Sequence, residues 1–292
     1  MKKYQLTLLS LCVAAFAQAK VTLPSFFTDN MVIQQNSQLT LPGKAKAGKQ
    51  VTVKVSWNYE KYTAKASADG HFSIEVPTPP AGGPFQITVS DGEKLVLNNV
   101  LSGEVWICSG QSNMEMPVAG WGKVMNYEQE VADADYPSIR LLQVKKTVAF
   151  SPQDNVEMNM NGWQECSSAT VPEFSSVAYF YARKLWKELN VPVGVIDCTW
   201  GGTPAESWTS HQTLKQVMGF QKKMAEMESA GFQREKLVEL YHQEMDEWLQ
   251  QFDARDAGFK DGVPQWISAL QTGNGWKPME LPAYWETRGL NF

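Results

Sequence analysis

The sequence has few residues of the kinds on which metal sites and nucleic-acid binding depend. Of its 292 residues only three are histidine and four are cysteine. They form neither a CxxC pair nor a His/Cys cluster, so no zinc or other transition-metal site is predicted. The formal net charge is −5, which gives no electrostatic reason to bind nucleic acid or an anionic membrane. We therefore expect neither a metal nor an organic cofactor, and no nucleic-acid partner.

Long hydrophobic runs are also scarce, and the one that stands out lies at the N-terminus. A basic start precedes an apolar stretch over 6–16, and an Ala-x-Ala pattern follows at 17–19. This is typical of a bacterial secretory signal peptide cut before Lys20, and the stretch is too short for a permanent bilayer-spanning helix. A lipoprotein signal at Cys12 is disfavoured because the residue before it is not small. We therefore expect a periplasmic or secreted protein with no stable membrane span.

Cleavage of residues 1–19 would leave three cysteines, Cys108, Cys166 and Cys198. An odd number leaves at least one thiol free, so the chain is not a disulfide scaffold. Cys108 and Cys198 each follow an apolar strand-like run and could pair if those strands are neighbours. The alternative, which we favour, is that the thiols are buried and act as small hydrophobic residues.

Residues 20–100 show the pattern of a small all-β domain. Apolar and polar residues alternate over 50–57 and 71–77, and a further strand-like run covers 85–90. Turn residues (Gly, Pro and Asp) separate these runs at intervals of roughly ten residues. Short strands with this spacing predict a β-sandwich.

The pattern changes after residue 100 to that of an α/β fold. Apolar runs at 104–110, 138–144 and 193–198 read as strands, and 173–190 has the apolar periodicity of a helix. Strand, helix and strand in this order predict a parallel sheet covered on both faces. We assign residues 101–214 to this sheet, whose ligands would bind at the carboxyl ends of its strands.

Two further segments follow the predicted sheet. Residues 215–260 are polar and helix-forming, and Gly231 is expected to divide them into a helical hairpin. Residues 261–292 contain turn residues and spaced tryptophans, which indicates the beginning of another β unit.

Two motifs fall where predicted strands end, "CSGQSNMEM" (108–116) and "TWGGTPAESW" (199–208). A serine nucleophile needs exposure, a base and donors for the oxyanion. A Gly-x-Ser turn after a strand exposes Ser112 and places its N–H at a helix start. Gly201 and Gly202 have no side chains, so their amides can approach a substrate oxygen closely. An ordinary helix cap at Ser112 and a plain turn at the glycines remain open alternatives.

"GEVWICSGQSNMEMPV" (103–118) resembles the nucleophile block of the SGNH-type carbohydrate acetylesterases, specifically that of the sialate O-acetylesterase family. The segment 191–210 is similar to the second conserved block of that family, and 23–35, 82–92 and 281–292 are similar to other parts of it. The resemblance implies an SGNH, flavodoxin-like parallel sheet, incomplete here, preceded by the β-sandwich. It also implies that 281–292 begins a β domain inserted within the hydrolase domain.

The resemblance implies roles for individual residues. Ser112 would be the acyl-accepting nucleophile, and its own N–H together with that of Gly202, or less favourably Gly201, would form the oxyanion hole. Gln111 and Asn113 flank the nucleophile and would shape the turn and the pocket floor. Glu206 also matches a recurrent position of the family, but no role can be assigned to it.

Two motifs of the family are missing from the sequence. In the family an Asp-x-x-His motif near the end of the hydrolase domain supplies the base and its orienting acid, and a preceding Gln-Gly-Glu motif supplies another oxyanion donor. None of the histidines (His71, His211 and His242) has an aspartate three residues before it. We therefore expect a chain truncated before its base, weakly active or inactive alone. A partner chain could supply the missing half.

The leading hypothesis is a serine esterase that removes O-acetyl groups from sialic acids or related glycans by acyl transfer to Ser112. One alternative is a non-catalytic glycan-binding or structural fragment. The other is a plant-polysaccharide acetylesterase, acting on xylan or pectin, that would use the same serine.

Overall fold

The computed structural model describes residues 20–149, 151–255, 259–260, 263–264, 279–284 and 287. By its internal contacts the chain divides after Leu214 into two compact units. Within the described residues, no helix combines the length and the apolar character needed to span a membrane.

The first unit consists mainly of strands. Its elements are β1 (Val32–Gln34), β2 (Gln38–Lys44), β3 (Gln50–Val55), β4 (Lys61–Lys65), β5 (His71–Pro77), β6 (Gly82–Ser90), β7 (Lys94–Gly110), α1 (Ser112–Glu115), α2 (Tyr127–Ala132), β8 (Asp135–Gln143), β9 (Gln164–Ser167), α3 (Ser176–Leu189), β10 (Val193–Thr199), a 3-10 helix (Ala205–Trp208) and α4 (His211–Leu214). Buried and exposed residues alternate along β3 and β5, as the sequence predicts.

Two sheets share the core formed by the first hundred residues. Strands β2 and β5 form an antiparallel pair, and β4, β3, β6 and β7 follow one another in a larger sheet. Their apolar side chains meet in one buried cluster that includes Leu41, Val53, Ile74 and Val89. The strands predicted at 50–57, 71–77 and 85–90 are confirmed as β3, β5 and β6.

Strand β7 extends the larger sheet into the second part of this unit. Its first half pairs antiparallel with β6, and Glu104–Gly110 pairs parallel with β10. The order is β4-β3-β6-β7-β10-β8-β9, with β1 also beside β7. The result is one mixed sheet of eight strands, not the separate parallel sheet that the sequence predicts. Because no turn interrupts β7 at residue 100, the same strand pairs in both regions.

The parallel strands β7, β10 and β8 are confirmed, and helix α3 covers one of their faces. Ile139, Leu141, Val193 and Val195 point from the sheet into a cluster with buried residues of α3. The helix predicted at 173–190 is thus confirmed as α3.

The opposite face of these strands is covered unevenly. Leu142 and Trp163 join the first cluster there, whereas Ile107 on β7 is 71% exposed. The expected cover on both faces is therefore wrong for the β7 side within the described residues. The residues that cover this face, including Trp163, lie over β8 and β10 and do not reach Ile107.

The second unit contains α5 (Gln221–Ser229), α6 (Arg234–Arg255) and the short antiparallel pair β11 (Phe259–Lys260) and β12 (Val263–Pro264). Gly231 lies between the two helices with φ +61°, a conformation that glycine adopts without steric penalty. Most of the β unit predicted at 261–292 lies outside the described residues.

Candidate active site

Ser112 lies at the carboxyl end of β7 and is partly exposed. Gly110 ends the strand with φ +149°, where a Cβ would come within 2.9 Å of the Met114 side chain. The chain then turns sharply, and the Gln111 carbonyl accepts hydrogen bonds from the N–H groups of Met114 and Glu115. Ser112 is therefore the first residue of α1, in the strand-to-helix turn that the sequence predicts.

The loop after β10 meets this turn. The Trp200 N–H donates to the Gly110 carbonyl at 3.0 Å, because β7 and β10 are adjacent and end together. A Cβ on Gly201 would lie 3.1 Å from Ser112 Oγ. The structure thus brings Ser112 and Gly201 together. Gly202 follows with φ +76° and has open space on its side-chain face.

The Ser112 hydroxyl donates a hydrogen bond to Gln111 Oε1 at 3.1 Å. An amide oxygen is not a base at neutral pH, so this contact does not activate the serine. Asn113 next to it is exposed. Within the described part of the chain, no hydrogen bond joins Ser112 to a histidine.

The three histidines belong to separate elements. His71 is exposed at the start of β5, His211 begins α4, and His242 lies in α6 of the second unit. Glu206, the recurrent position without an assigned role, falls in the 3-10 helix after the Gly201–Gly202 turn. No catalytic base is therefore identified among the described residues.

Glu115 is a functional candidate that the sequence reading missed. Its Oε2 accepts the Gly201 N–H, and its Oε1 forms an ion pair with Lys146 Nζ. Burial acts to raise the pKa of Glu115, but the Lys146 ammonium and the Gly201 N–H outweigh it and hold the pKa below its ordinary value. The feature of the sequence that could have identified Glu115 is its position three residues after Ser112, which places both side chains on one side of a helical turn.

Helix α1 is held by the beginning of α3. The Ser175 hydroxyl donates to the Met114 carbonyl at 2.6 Å, and the Ser176 N–H donates to the Met116 carbonyl at 2.8 Å. The same Ser175 hydroxyl caps α3 by accepting the Ala178 N–H at 3.1 Å. Because Ser175 and Ser176 are both buried, these bonds satisfy polar groups that would otherwise be unpaired.

A cavity of about 610 Å³ is lined in part by Glu115, the residue whose carboxylate binds the Gly201 N–H, and Ser112 is not among its lining residues. A Cβ on Gly201 would lie 2.8 Å from that carboxylate as well as close to Ser112 Oγ, so the carboxylate and the nucleophile are neighbours. Asp197, also in the wall, accepts from Thr199 Oγ1 at 2.7 Å and from Gln143 Nε2 at 3.0 Å. Burial raises the pKa of Asp197, although these two hydrogen bonds act in the opposite direction.

Cys108, Cys166 and Cys198 are free thiols. In the register of β7 and β10, Cys108 lies opposite Asp197 and Cys198 opposite Ser109, so Cys108 and Cys198 point to opposite faces of the sheet. The possible disulfide is therefore wrong even though the two strands are neighbours. Burial raises the pKa of Cys108 to about 11 and that of Cys166 to about 12, so both are unreactive apolar thiols.

Within the described residues, no three His, Cys, Asp or Glu side chains are grouped so as to hold a metal ion. The site consists instead of a serine after one parallel strand and a glycine pair after its neighbour. This arrangement is typical of serine hydrolases built on an α/β sheet.

The chain belongs to the sialate O-acetylesterase family. Residues 102–280, well over half of the chain, match the family model described as carbohydrate esterase, sialic acid-specific acetylesterase.

Curated relatives and a solved structure agree with this family. The chain is 34% identical over 209 residues to a sialate O-acetylesterase of Pongo abelii and 33% identical to that of Homo sapiens, in each case over 65% of this chain and 39% of the relative. It matches the crystal structure of a carbohydrate acetylesterase from Xanthomonas citri with 32% identity and a TM-score of 0.61, over 66% of this chain and 43% of the other. The chain thus spans about two fifths of the length of these relatives.

Proposed function

We propose that this chain carries the nucleophile of a serine esterase that removes O-acetyl groups from sialic acids or related glycans. The observation that carries the proposal is that the turn after β7 meets the loop after β10. A Cβ on Gly201 would lie about 3 Å from Ser112 Oγ, so the two residues are in direct contact range. The family supports the proposal, and so does the cavity lined by Glu115. The signal-like N-terminal pattern supports a periplasmic or secreted location.

In the proposed reaction Ser112 Oγ attacks the acetyl carbonyl carbon as its hydroxyl proton passes to a general base, and the carbonyl electron pair moves onto oxygen. The N–H groups of Ser112 and Gly202 donate to this oxyanion. Its collapse breaks the bond to the sugar oxygen, which leaves as a hydroxyl after the base gives it the serine proton, and acetyl-Ser112 remains. Water then releases acetate and restores the serine.

The contacts of Gly201 distinguish its N–H from that of Gly202 as a donor to the oxyanion. Because the Gly201 N–H already donates to the Glu115 carboxylate, it is not free for a substrate oxygen. The donor after β10 is therefore Gly202, whose open side-chain face leaves room for the acyl group.

We further propose that the base comes from polypeptide other than the described residues. The Ser112 hydroxyl is bonded to an amide oxygen, and the match to this chain covers only 39% of the relative. Loss of one triad member leaves only the part of catalysis that comes from oxyanion stabilisation and binding. The chain by itself should therefore acetylate Ser112 slowly and turn over poorly.

The test is incubation of the purified chain with p-nitrophenyl acetate, following nitrophenolate release and locating the acetyl group by peptide mass spectrometry. Ser112→Ala should abolish the adduct, while Ser109→Ala, a matched change at an exposed residue of β7, should keep it. Turnover at an ordinary enzymatic rate that depends on Ser112 would show that the chain has its own base. Equal labelling of Ser112→Ala would remove Ser112 as the nucleophile.

A non-catalytic glycan-binding role is the second candidate. It is favoured by one observation, a preformed cavity lined by Glu115, whose neighbour Ser112 donates its hydroxyl to an amide oxygen and, among the described residues, to no base. Saturable binding of an acetylated sugar without any acetylation of Ser112 would support this role over the esterase.

A further inference from the structure

The loop after β10 is fixed at two successive residues. The Trp200 N–H donates to the Gly110 carbonyl at 3.0 Å, and the Gly201 N–H donates to the Glu115 carboxylate. Gly202 follows with φ +76°, and its N–H has no hydrogen-bond acceptor among the described residues. The contact with Glu115 is therefore the last backbone hydrogen bond before the amide that the proposed reaction uses.

The Glu115 carboxylate lies where a negative charge needs compensation. A Cβ on Gly201 would be 2.8 Å from this carboxylate and 3.1 Å from Ser112 Oγ, and the Glu115 side chain is only 15% exposed. An unpaired carboxylate this close to the nucleophile would repel the negative charge that develops on the acetyl oxygen. Lys146 Nζ forms an ion pair with the other carboxylate oxygen. Glu115 therefore binds the Gly201 N–H while its own charge is offset.

We infer that Glu115 is a positioning residue of the oxyanion hole. Its carboxylate holds the Gly201 N–H and so fixes the orientation of the next peptide group, whose Gly202 N–H then faces the acetyl oxygen. Lys146 keeps the charge of that carboxylate from opposing the reaction. The inference rests on the proposed function, since it takes the Gly202 N–H as the donor in that reaction.

Variants at Glu115 separate its hydrogen bond from its charge. Glu115→Gln keeps an oxygen that can accept the Gly201 N–H but loses the ion pair with Lys146, whereas Glu115→Ala loses both. The rate of Ser112 acetylation by p-nitrophenyl acetate should fall about tenfold or more in Glu115→Ala and stay within about threefold in Glu115→Gln. A role in stability alone would affect both variants alike, because both lose the ion pair.

The dependence of this rate on ester concentration gives a second readout. The loss in Glu115→Ala should lie in the limiting rate at high ester and not in the concentration that gives half of it, because the oxyanion forms only towards the transition state. Urea unfolding of each variant shows that the compared chains are folded.

Lys146→Met tests the compensation of charge. It leaves the Glu115 carboxylate unpaired and should slow acetylation about tenfold by repulsion of the oxyanion. The matched controls are Lys145→Met and Glu157→Ala, which break the neighbouring exposed ion pair of 2.7 Å and should leave the rate unchanged.

The hydrogen bond itself can be followed by NMR without any reaction. Only two glycines in the sequence follow a tryptophan, Gly122 and Gly201, so ¹³C in the tryptophan carbonyl and ¹⁵N in glycine select two amide signals. The Gly201 signal is the one that Gly201→Ala removes. In Glu115→Ala its proton should move upfield and exchange faster with solvent, because a charge-assisted hydrogen bond is lost. The Gly122 signal serves as the internal reference.

The outcomes separate the inference from the proposed function. A Gly201 signal that does not move in Glu115→Ala overturns the inference, and so does an acetylation rate as low in Glu115→Gln as in Glu115→Ala. A signal that moves while the rate stays unchanged overturns the inference alone. If the unaltered chain never acetylates Ser112, the proposed function fails and the inference fails with it.

Discussion

At the scale of single residues, the site depends on the close approach of Gly201, Ser112 Oγ and the Glu115 carboxylate. The missing Cβ of Gly201 leaves space that Ser112 Oγ and the Glu115 carboxylate share. The carboxylate holds the Gly201 N–H and is itself held by Lys146. Glu115 therefore fixes the loop after β10 against the helix that carries the nucleophile.

Gly201→Ala should lower the rate of Ser112 acetylation by about tenfold or more, because the new Cβ displaces the carboxylate and presses on the nucleophile. The free energy of unfolding should change by only about 1 kcal/mol, since Glu115 Oε2 is the movable end of a side chain. Acetylation by p-nitrophenyl acetate and urea unfolding measure the two effects. Gly92→Ala, at φ +129° with open space, strains the backbone far from Ser112. It is the control for a destabilising glycine substitution and should leave acetylation unchanged. Unchanged acetylation of Gly201→Ala would contradict the crowding.

The sequence predicted that Ser112 and the Gly201–Gly202 turn lie at the same edge of the sheet, because both follow apolar strand-like runs. It did not reveal Glu115 or Asp197. The partners of Glu115 lie 31 and 86 residues away, and those distances close only in the folded sheet. A carboxylate without visible partners reads as a surface charge.

At the scale of elements, the position of α1 depends on the start of α3. Helix α1 has only four residues, too few to be stable by itself. Ser175 joins the two helices because its hydroxyl caps α3 and also holds the Met114 carbonyl.

Ser175→Ala should therefore destabilise the protein by about 2–3 kcal/mol, as a lost helix cap and an unpaired, partly buried carbonyl combine. It should also slow acetylation of Ser112 by loosening α1. Urea unfolding and the acetylation assay measure the two effects. The control is Ser73→Ala on the exposed face of β5, which should leave both unchanged. A loss of stability with no change at Ser112 would mean that α1 is held by other contacts.

Helix α3 and strands β3 and β5 were predictable because their apolar residues repeat with the period of a helix or a strand. Strand β10 was predictable as a short continuous apolar run. Strand β9 was missed, since its four residues pair antiparallel at the edge of the sheet and are too few to show a period. Strand β7 was divided at residue 100 because the composition changes there while the hydrogen bonding does not.

At the scale of the whole first unit, strand β7 is shared by two halves, the β-rich part formed by the first hundred residues and the α/β part that follows it. It pairs with β6 as far as Ser102 and with β10 from Glu104 to Gly110. Strand β1 pairs with Leu101–Gly103, so a fragment that ends at residue 100 would lack a partner for β1. The two buried clusters are therefore parts of a single sheet and not of two independent domains.

Ile87→Ala and Ile139→Ala test this connection. Each residue is fully buried, Ile87 in the first cluster and Ile139 in the second. Each substitution should destabilise by about 2–5 kcal/mol and shift one common unfolding transition of the first unit. Hydrogen exchange followed by mass spectrometry measures both halves at once. If Ile87→Ala lowered protection only in β2–β6, and Ile139→Ala only in β8–β10, the halves would unfold separately.

The shared strand also restricts how this polypeptide can be recombined with others. A gene fusion that exchanges one half for a foreign segment cannot place its junction between Lys94 and Gly110 without cutting the strand that ends at the nucleophile turn. The β-rich front part and the serine loop must therefore be inherited together, and a chimaera that keeps the serine must also keep β6 and β7.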